Sequence, residues 1–188
     1  MTALRTVHSV HSVHSVHTAR LAIEPLRVAD APLLFALLAD PQMYVYAPDT
    51  SRASVEALAE RFQVLELGPQ DGSGEIWLNW VLRRLSDGLP IGTLQATVVE
   101  GSHAWLGYSL TASAWGQGYA TEACAWLMGE LPPRYRLREI LASVDVRNGK
   151  SIALLERLGF ECTGTEPAEI NGEASTDHRY RLACVSGP

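Results

Sequence analysis

Residues 115–123 read Trp-Gly-Gln-Gly-Tyr-Ala-Thr-Glu-Ala, and the architecture of the chain can be inferred from what flanks them. The small residues allow a tight backbone turn that leaves consecutive N–H groups exposed, and the pattern predicts that a helix begins at once, at Gly118. Free N–H groups and the positive end of the helix dipole both attract anions. The stretch therefore predicts an anion-binding turn, although an ordinary glycine-rich turn would have a similar sequence.

Two other phosphate-binding motifs do not fit the chain. Gly149-Lys150-Ser151 matches the end of the P-loop pattern GxxxxGK[ST], but the glycine that this pattern requires five residues earlier is Val144. A dinucleotide-binding fingerprint needs a strand–helix–strand crossover around its glycines. Here the glycines follow a strand that is expected to be antiparallel and no such crossover precedes them, so the match to this fingerprint is also poor.

Hydrophobic periodicity and turn residues divide the rest of the chain into strands and helices. Before the turn they predict strands at 21–26, 75–84, 91–99 and 104–110, and helices at 30–39 and 53–67. After it they predict helices at 118–130 and 149–158, with the first ending before Pro132, and strands at 138–146, 160–165 and 177–183. The order predicts an α/β (α+β) fold, in which a mixed, mostly antiparallel central sheet has helices on both faces.

Composition excludes several classes of protein. With 188 residues, 47% of them hydrophobic, the chain is long enough for one domain with a real core, which we expect over residues 20–188. The net charge of −6 argues against non-specific binding to nucleic acid. No apolar run approaches the ~18 residues of a membrane span. The three cysteines form no disulfide framework, which favours a reducing cytoplasmic location.

Residues 1–19 form a separate segment in which Val-His-Ser repeats every three residues. That period matches neither a strand nor a helix, so the segment is predicted to be a disordered, histidine-rich leader. Weak metal capture by the histidines is one interpretation, and a tolerated repeat expansion or an unusual start site is another. We expect no metal site in the domain itself.

Three motifs together resemble the GNAT superfamily of N-acetyltransferases, and more narrowly its RimJ/RimL branch. They are Gly107-Tyr108-Ser109-Leu110, the glycine-rich turn at 115–123, and Asn148-x-x-Ser151 followed by Leu155-x-x-Leu158-Gly159-Phe160. The similarity runs from about Arg20 to Leu182. It implies transfer of acetyl from acetyl-CoA to a primary amine, most often a protein N-terminus in this branch. It also implies a homodimer.

The resemblance assigns roles to particular positions. It implies that the acetyl-CoA diphosphate binds the N–H groups of Gly116, Gln117, Gly118, Tyr119 and Ala120, with the hydroxyl of Thr121 adding to them. Pantetheine would lie beside residues 106–110 like an added strand, so Leu106, Tyr108 and Leu110 are predicted cofactor-binding residues. Asn148 and Ser151 would meet the thiol end, although Asn148 could instead cap the helix. The superfamily usually has Gln or Arg at Trp115, so no side-chain phosphate contact is assigned there.

Acetyl transfer also needs a base for the amine and a proton for the departing thiolate. Glu169 occupies the position of the glutamate proposed as the base in this branch, and Ser151 that of the proposed proton donor. Tyr108 and Tyr119 remain alternatives to Ser151. The oxyanion would bind a strand N–H near residues 106–108. Cys124 and Cys162 have no histidine nearby in sequence, and both are interpreted as small core residues.

Local charge agrees with this assignment. Residues 132–150 carry five basic and two acidic side chains, and residues 160–177 carry five acidic and no basic ones. The first segment suits a polyanionic cofactor, and the second suits a cationic amine or is simply a solvated loop. Two further functions stay open, namely acetylation of a small amine such as an antibiotic, polyamine or amino acid, and non-catalytic acyl-CoA binding.

Overall fold

The structure is a computed structural model that describes residues 14–47, 53–70 and 72–184. Within these ranges one eight-stranded sheet runs in the order β1-β2-β3-β4-β5-β6-β8-β7. The strands are β1 (Val16–His17), β2 (Leu21–Pro25), β3 (Glu75–Arg84), β4 (Pro90–Val99), β5 (His103–Leu110), β6 (Glu139–Asp145), β7 (Glu161–Ile170) and β8 (Glu173–Ala183). The helices are α1 (Ala31–Leu38), α2 (Val55–Leu67), α3 (Tyr119–Tyr135) and α4 (Gly149–Arg157).

Helices cover both faces of the sheet, as predicted. Alternate residues of the central strands, such as Trp80 and Leu94, pack with Leu127 of α3 and Leu155 of α4. On the other face Val81 packs with a cluster from the first two helices that includes Leu34, Leu58 and Phe62. All neighbouring strands are antiparallel except β5 and β6. The predicted fold class is therefore confirmed. Across the described ranges no helix combines the length and hydropathy that a membrane crossing requires.

The last two strands are longer than predicted. The sequence analysis stopped the first of them at residue 165 and started the second at residue 177, but β7 continues to Ile170 and β8 begins at Glu173. The connection is Asn171-Gly172, with φ values of 54° and 85°. A two-residue turn with positive φ at both positions matches the twist of a hairpin. The acidic segment is thus mostly strand and not a loop.

Helix α3 continues through Pro132 and Pro133, although the sequence analysis ended it before them. Each proline removes one helical N–H donor, and its ring crowds the carbonyl four residues earlier, so the two prolines destabilise this turn. The buried side chains of Leu131 and Tyr135 hold the last turn against the core. This packing outweighs the proline signal.

The last residues of the predicted leader are ordered in the structure as a strand, contrary to the prediction. Val16 and His17 form β1, which pairs antiparallel with Ile23 and Ala22 of β2. Residues 1–13, which contain most of the Val-His-Ser repeat, lie outside the described residues. The leader and the domain boundary at residue 20 therefore remain predictions.

Candidate active site

The candidate site lies where β5 and β6 separate. These parallel strands pair only at three positions, from His103 with Glu139 to Trp105 with Leu141. Beyond these pairs β5 continues to Leu110 and β6 to Asp145 without pairing to each other. A helix follows each strand at this end, so the N-termini of α3 and α4 flank the gap. Ligands of open α/β sheets bind in such a crevice at the carboxyl ends of parallel strands.

The loop between β5 and α3 presents a row of unpaired backbone donors. In the described part of the chain, none of the N–H groups from Gly116 to Thr121 has a hydrogen-bond acceptor. Gly116 and Gly118 have φ values of 71° and 81°, which residues with a side chain rarely adopt. A Cβ on Gly116 would meet no heavy atom within 4 Å, so the loop borders open space there. The arrangement is suited to binding an anion.

Three side-chain contacts fix this loop from outside the row of donors. The Trp115 indole N–H donates to the Leu110 carbonyl at 2.8 Å. The Gln117 side-chain amide donates to the Ser113 carbonyl at 2.7 Å, which holds the side chain back against the preceding turn. The ammonium of Lys150, in α4, lies 4.3 Å from the centre of the Trp115 ring. Trp115 therefore connects the two helix N-termini, a role that sequence reasoning missed.

Among the described residues no strand pairs with the gap-facing edge of β5 from Leu106 to Leu110, and only the Leu110 carbonyl there accepts a hydrogen bond, from Trp115. On their other side these residues pair with Ala96 to Gly92 of β4. The side chains of Leu106 and Leu110 are buried in the core, so the main chain is what this edge offers. An extended chain with amide groups can hydrogen-bond to such an edge as an added strand.

The predicted thiol-end residues lie at the start of α4. Asn148 caps the helix, because its side-chain oxygen accepts a hydrogen bond from the Ser151 N–H at 3.2 Å. The capping alternative of the sequence analysis is confirmed, and the predicted contact with the thiol end remains a prediction. The Ser151 side chain is half-buried.

The Tyr108 phenol oxygen is buried and has no hydrogen-bond partner among the described residues. Burial raises the pKa of Tyr108 to about 12, and the neighbouring Ser151 hydroxyl has a smaller, opposite effect. Tyr108 therefore keeps its proton at neutral pH. The structure thus brings two predicted residues, Tyr108 of β5 and Ser151 of α4, together across the gap.

Glu169 is exposed and lies near the tip of the β7–β8 hairpin, paired with Ala174. In the described ranges no hydrogen bond joins it to Asn148 or Ser151. The hairpin tip lies beside the segment after α1, where the Asn171 side-chain amide donates a long hydrogen bond to the Tyr44 carbonyl at 3.5 Å. The structure therefore holds Glu169 on an anchored hairpin without bonding it to the other predicted catalytic residue.

The buried carboxylate of Asp145, at the end of β6, anchors the same hairpin. Asp145 is only 2% exposed, and its carboxylate accepts hydrogen bonds from Arg147 at 2.6 Å and from the Ser175 hydroxyl of β8 at 2.5 Å. The Arg147 guanidinium beside Asp145 holds the pKa of that carboxyl well below its usual range. The same guanidinium lies 5.9 Å from the centre of the Tyr46 ring. These contacts connect the hairpin to the start of α4 and to the segment after α1.

The basic segment at residues 132–150 lies mostly away from the loop. Helix α3 has 17 residues, a length of ~25 Å, and it carries Arg134 at its far end. Arg136 pairs there with Glu100, and Arg147 pairs with Asp145. Only Lys150 of this segment contacts the loop, through Trp115. The segment therefore meets the loop at Lys150, whereas Arg136 and Arg147 pair with carboxylates elsewhere.

Sequence reasoning missed the arginine that does contact the loop. Arg20, which precedes β2, donates to the Gln117 carbonyl at 2.8 Å and to the Glu122 carboxylate at 2.7 Å. Some hundred residues separate Arg20 from these partners, so no local pattern indicates the contact.

One interpretation of the cysteines is confirmed and one is wrong. Cys124 is fully buried in the core, and burial raises its pKa to about 12. Cys162 is exposed, and its sulfur lies 3.7 Å from Nδ1 of His178, across the β7–β8 pair. The two are 16 residues apart in sequence, and the hairpin register brings them together.

The chain shares its fold with solved structures of acetyltransferases. The chain is similar to the ribosomal-protein-S5-alanine acetyltransferase of Vibrio fischeri, with 20% identity and a TM-score of 0.76 over 91% of this chain and 97% of that one. It is also similar to RimL, the ribosomal L7/L12 α-N-protein acetyltransferase, solved in complex with coenzyme A. That match has 20% identity and a TM-score of 0.77 over 88% of this chain and 95% of RimL. The fold is therefore that of an acetyltransferase.

Sequence comparison gives the family. The family model for the acetyltransferase (GNAT) domain matches residues 20–161, and the chain belongs to this family. The N-acetyltransferase p20 of Bacillus licheniformis is 27% identical over 147 residues, which are 77% of this chain and 81% of that protein. The protein is an acetyltransferase of the GNAT type.

Proposed function

We propose that the protein is an N-acetyltransferase of the RimJ/RimL branch, which transfers acetyl from acetyl-CoA to the α-amine of a protein or peptide. The observation that carries this proposal is the row of free N–H groups from Gly116 to Thr121 beside the gap between β5 and β6. Similarity to an S5-alanine acetyltransferase and to an L7/L12 α-N-protein acetyltransferase supports the choice of acceptor.

The residues at the site fit coenzyme A. We expect the diphosphate to accept hydrogen bonds from the loop N–H groups at residues 116–120, with the Thr121 hydroxyl nearby. We expect the free edge of β5 from Leu106 to Leu110 to bind the two amides of pantetheine. Acetyl-CoA supplies an acetyl group that is already activated as a thioester.

Of the amines that a protein offers, an α-amine needs the weakest base, because it loses its proton most easily. At pH 7.5 a lysine amine with a pKa of ~10.4 needs about 4 kcal/mol to lose its proton, whereas an α-amine with a pKa of ~7.8 needs well under ~1 kcal/mol. An exposed carboxylate on a hairpin, such as Glu169, is a strong enough base to remove the proton from an α-amine. We expect a strand N–H near residues 106–108 to stabilise the oxyanion.

The departing sulfur needs a proton, and two hydroxyls border the gap. Ser151 is a poor acid by itself, because an aliphatic hydroxyl holds its proton tightly. Tyr108 is the better donor on chemical grounds, and its buried hydroxyl has no other partner in the described residues. We infer that Ser151 orients the proton that Tyr108 supplies.

Replacing Tyr108 with phenylalanine is expected to lower kcat about tenfold while leaving the affinity for acetyl-CoA unchanged, because only the proton donor is removed. Steady-state kinetics and calorimetry measure the two quantities. Tyr135→Phe is the matched control, since this tyrosine is also largely buried but lies at the far end of α3. An unchanged kcat in Tyr108→Phe would show that Tyr108 has no part in proton transfer.

The acceptor is tested by thiol release from acetyl-CoA in the presence of two matched peptides. One begins with a free alanine and contains no lysine, and the other has a blocked N-terminus and one lysine. We expect turnover only with the first, rising with pH to a plateau above ~8, where the α-amine is neutral. Turnover only with small amines would contradict the proposed acceptor, and acetyl-CoA binding without any turnover would contradict the proposed activity.

A further inference from the structure

A network of charged residues lies on the outer side of the loop between β5 and α3. The Glu122 carboxylate, in the first turn of α3, accepts hydrogen bonds from the Thr18 hydroxyl at 2.6 Å and from the Arg20 main-chain N–H at 2.8 Å. It also accepts one from Nε of Arg20 at 2.7 Å. Nη1 of the same guanidinium donates to the Gln117 carbonyl at 2.8 Å. The segment before β2 is thereby joined to the loop and to the helix.

The contact with Gln117 determines where one of the free N–H groups points. The Gln117 carbonyl and the Gly118 N–H belong to the same trans peptide plane and point in opposite directions. By holding the carbonyl on the outer side, Arg20 directs the Gly118 N–H towards the other side of the loop. The guanidinium also lies against the turn, with Nη2 3.3 Å from where a Cβ on Gly118 would be and with its carbon 4.7 Å from the centre of the Tyr119 ring.

Arg20 also balances a charge that would oppose phosphate binding. Partial burial raises the pKa of Glu122, but the hydrogen bonds from Thr18 and Arg20 outweigh it, so the pKa lies below its ordinary value and the carboxylate is ionised. An ionised carboxylate one turn into α3 weakens the positive potential that the helix start offers to an anion. The Arg20 side chain is 47% exposed and supplies the compensating charge beside the loop.

We propose that Arg20 is a positioning residue for the diphosphate of coenzyme A. It aims the Gly118 N–H by holding the Gln117 carbonyl, and it neutralises Glu122. This inference rests on the proposed function, because it presumes that the loop binds coenzyme A. It assigns a role in cofactor binding to a residue outside the glycine-rich motif.

The test compares the affinities of Arg20→Gln and the parent protein for coenzyme A, 3′-dephospho-coenzyme A and pantetheine. Calorimetry measures the first two, and ligand-observed NMR measures the weaker pantetheine. We expect Arg20→Gln to bind both diphosphate-containing ligands about tenfold more weakly, and to bind pantetheine as the parent does. Arg136→Gln is the matched control, because it removes another exposed arginine that pairs with a glutamate, at the opposite end of α3. We expect it to bind all three ligands like the parent.

Each other outcome has a defined meaning. An equal loss of affinity for all three ligands would indicate that Arg20 has a general structural role and would overturn the proposal. A loss for coenzyme A alone would assign Arg20 to the 3′-phosphate, which also overturns it, as would unchanged affinity for all three. If the parent protein itself fails to bind coenzyme A, the proposed function fails, and that result is separate from any effect of the substitution.

Discussion

Replacing Gly118 with aspartate is expected to abolish coenzyme A binding, with a loss of affinity of at least about hundredfold. Gly118 has a φ of 81°, and an L-residue in that region carries a strain of about 1–2 kcal/mol. The new carboxylate would also add a negative charge at the loop, on the side where Arg20 lies, and this charge would oppose binding of the diphosphate. Its nearest neighbour would be the Arg20 guanidinium, which would pair with it. Calorimetric titration with coenzyme A measures the effect.

Gly101→Asp is the control for this substitution. Gly101 has a φ of 71° in the turn between β4 and β5, at the opposite end of β5 from the loop, and a Cβ there would meet no atom within 4 Å. The control therefore introduces the same charge and similar strain away from the site. It is expected to bind coenzyme A normally. Affinity within threefold of the parent in Gly118→Asp would show that the loop is not the diphosphate site.

Replacing Glu169 with glutamine is expected to lower kcat about hundredfold at pH 7 and to leave the affinity for coenzyme A unchanged. Glutamine has the same shape but cannot accept the amine proton. The deficit should shrink as the pH rises above the pKa of the α-amine, near ~7.8, because the neutral amine then forms without a base. Steady-state rates between pH 6 and pH 9, with an alanine-initiated peptide as acceptor, measure both effects.

Glu161→Gln provides the comparison for Glu169→Gln. Glu161 is also an exposed glutamate of β7, but it lies at the opposite end of the strand from the hairpin tip. It should have parental rates at every pH. Equal rates for Glu169→Gln and the parent at pH 7 would remove Glu169 from the mechanism and leave the base to be sought elsewhere on the hairpin.

The features that depend on local pattern were predictable from the sequence. Strand β3 was predicted to the residue, and α4 differs by one residue at its end, because alternation and a 3.6-residue period are visible within one element. The long β7–β8 hairpin was missed although Asn171-Gly172 is a strong turn signal. The end of α3 was missed because tertiary packing of Tyr135 outweighed the prolines.

The features that join distant segments could not be read from the sequence. The glycine-rich loop was found, but its contact with Arg20 depends on how β2 lies beside α3. Likewise, the proximity of Tyr108 and Ser151 and the bond from Ser175 to Asp145 arise only when β6 follows β5 and β8 pairs with β6. Contacts between distant segments leave no periodic pattern in the sequence. The glycine-rich loop was therefore predicted, whereas the contacts that support it were not.

A crystal structure of the protein with coenzyme A tests the central claim most directly. The account predicts diphosphate oxygens at roughly 2.7–3.2 Å from the main-chain nitrogens of residues 116–120, with pantetheine beside the free edge of β5. It also predicts that the Gln117 carbonyl still faces Arg20. Density for the diphosphate at any other place on the protein, with these nitrogens left without a ligand, would contradict the account.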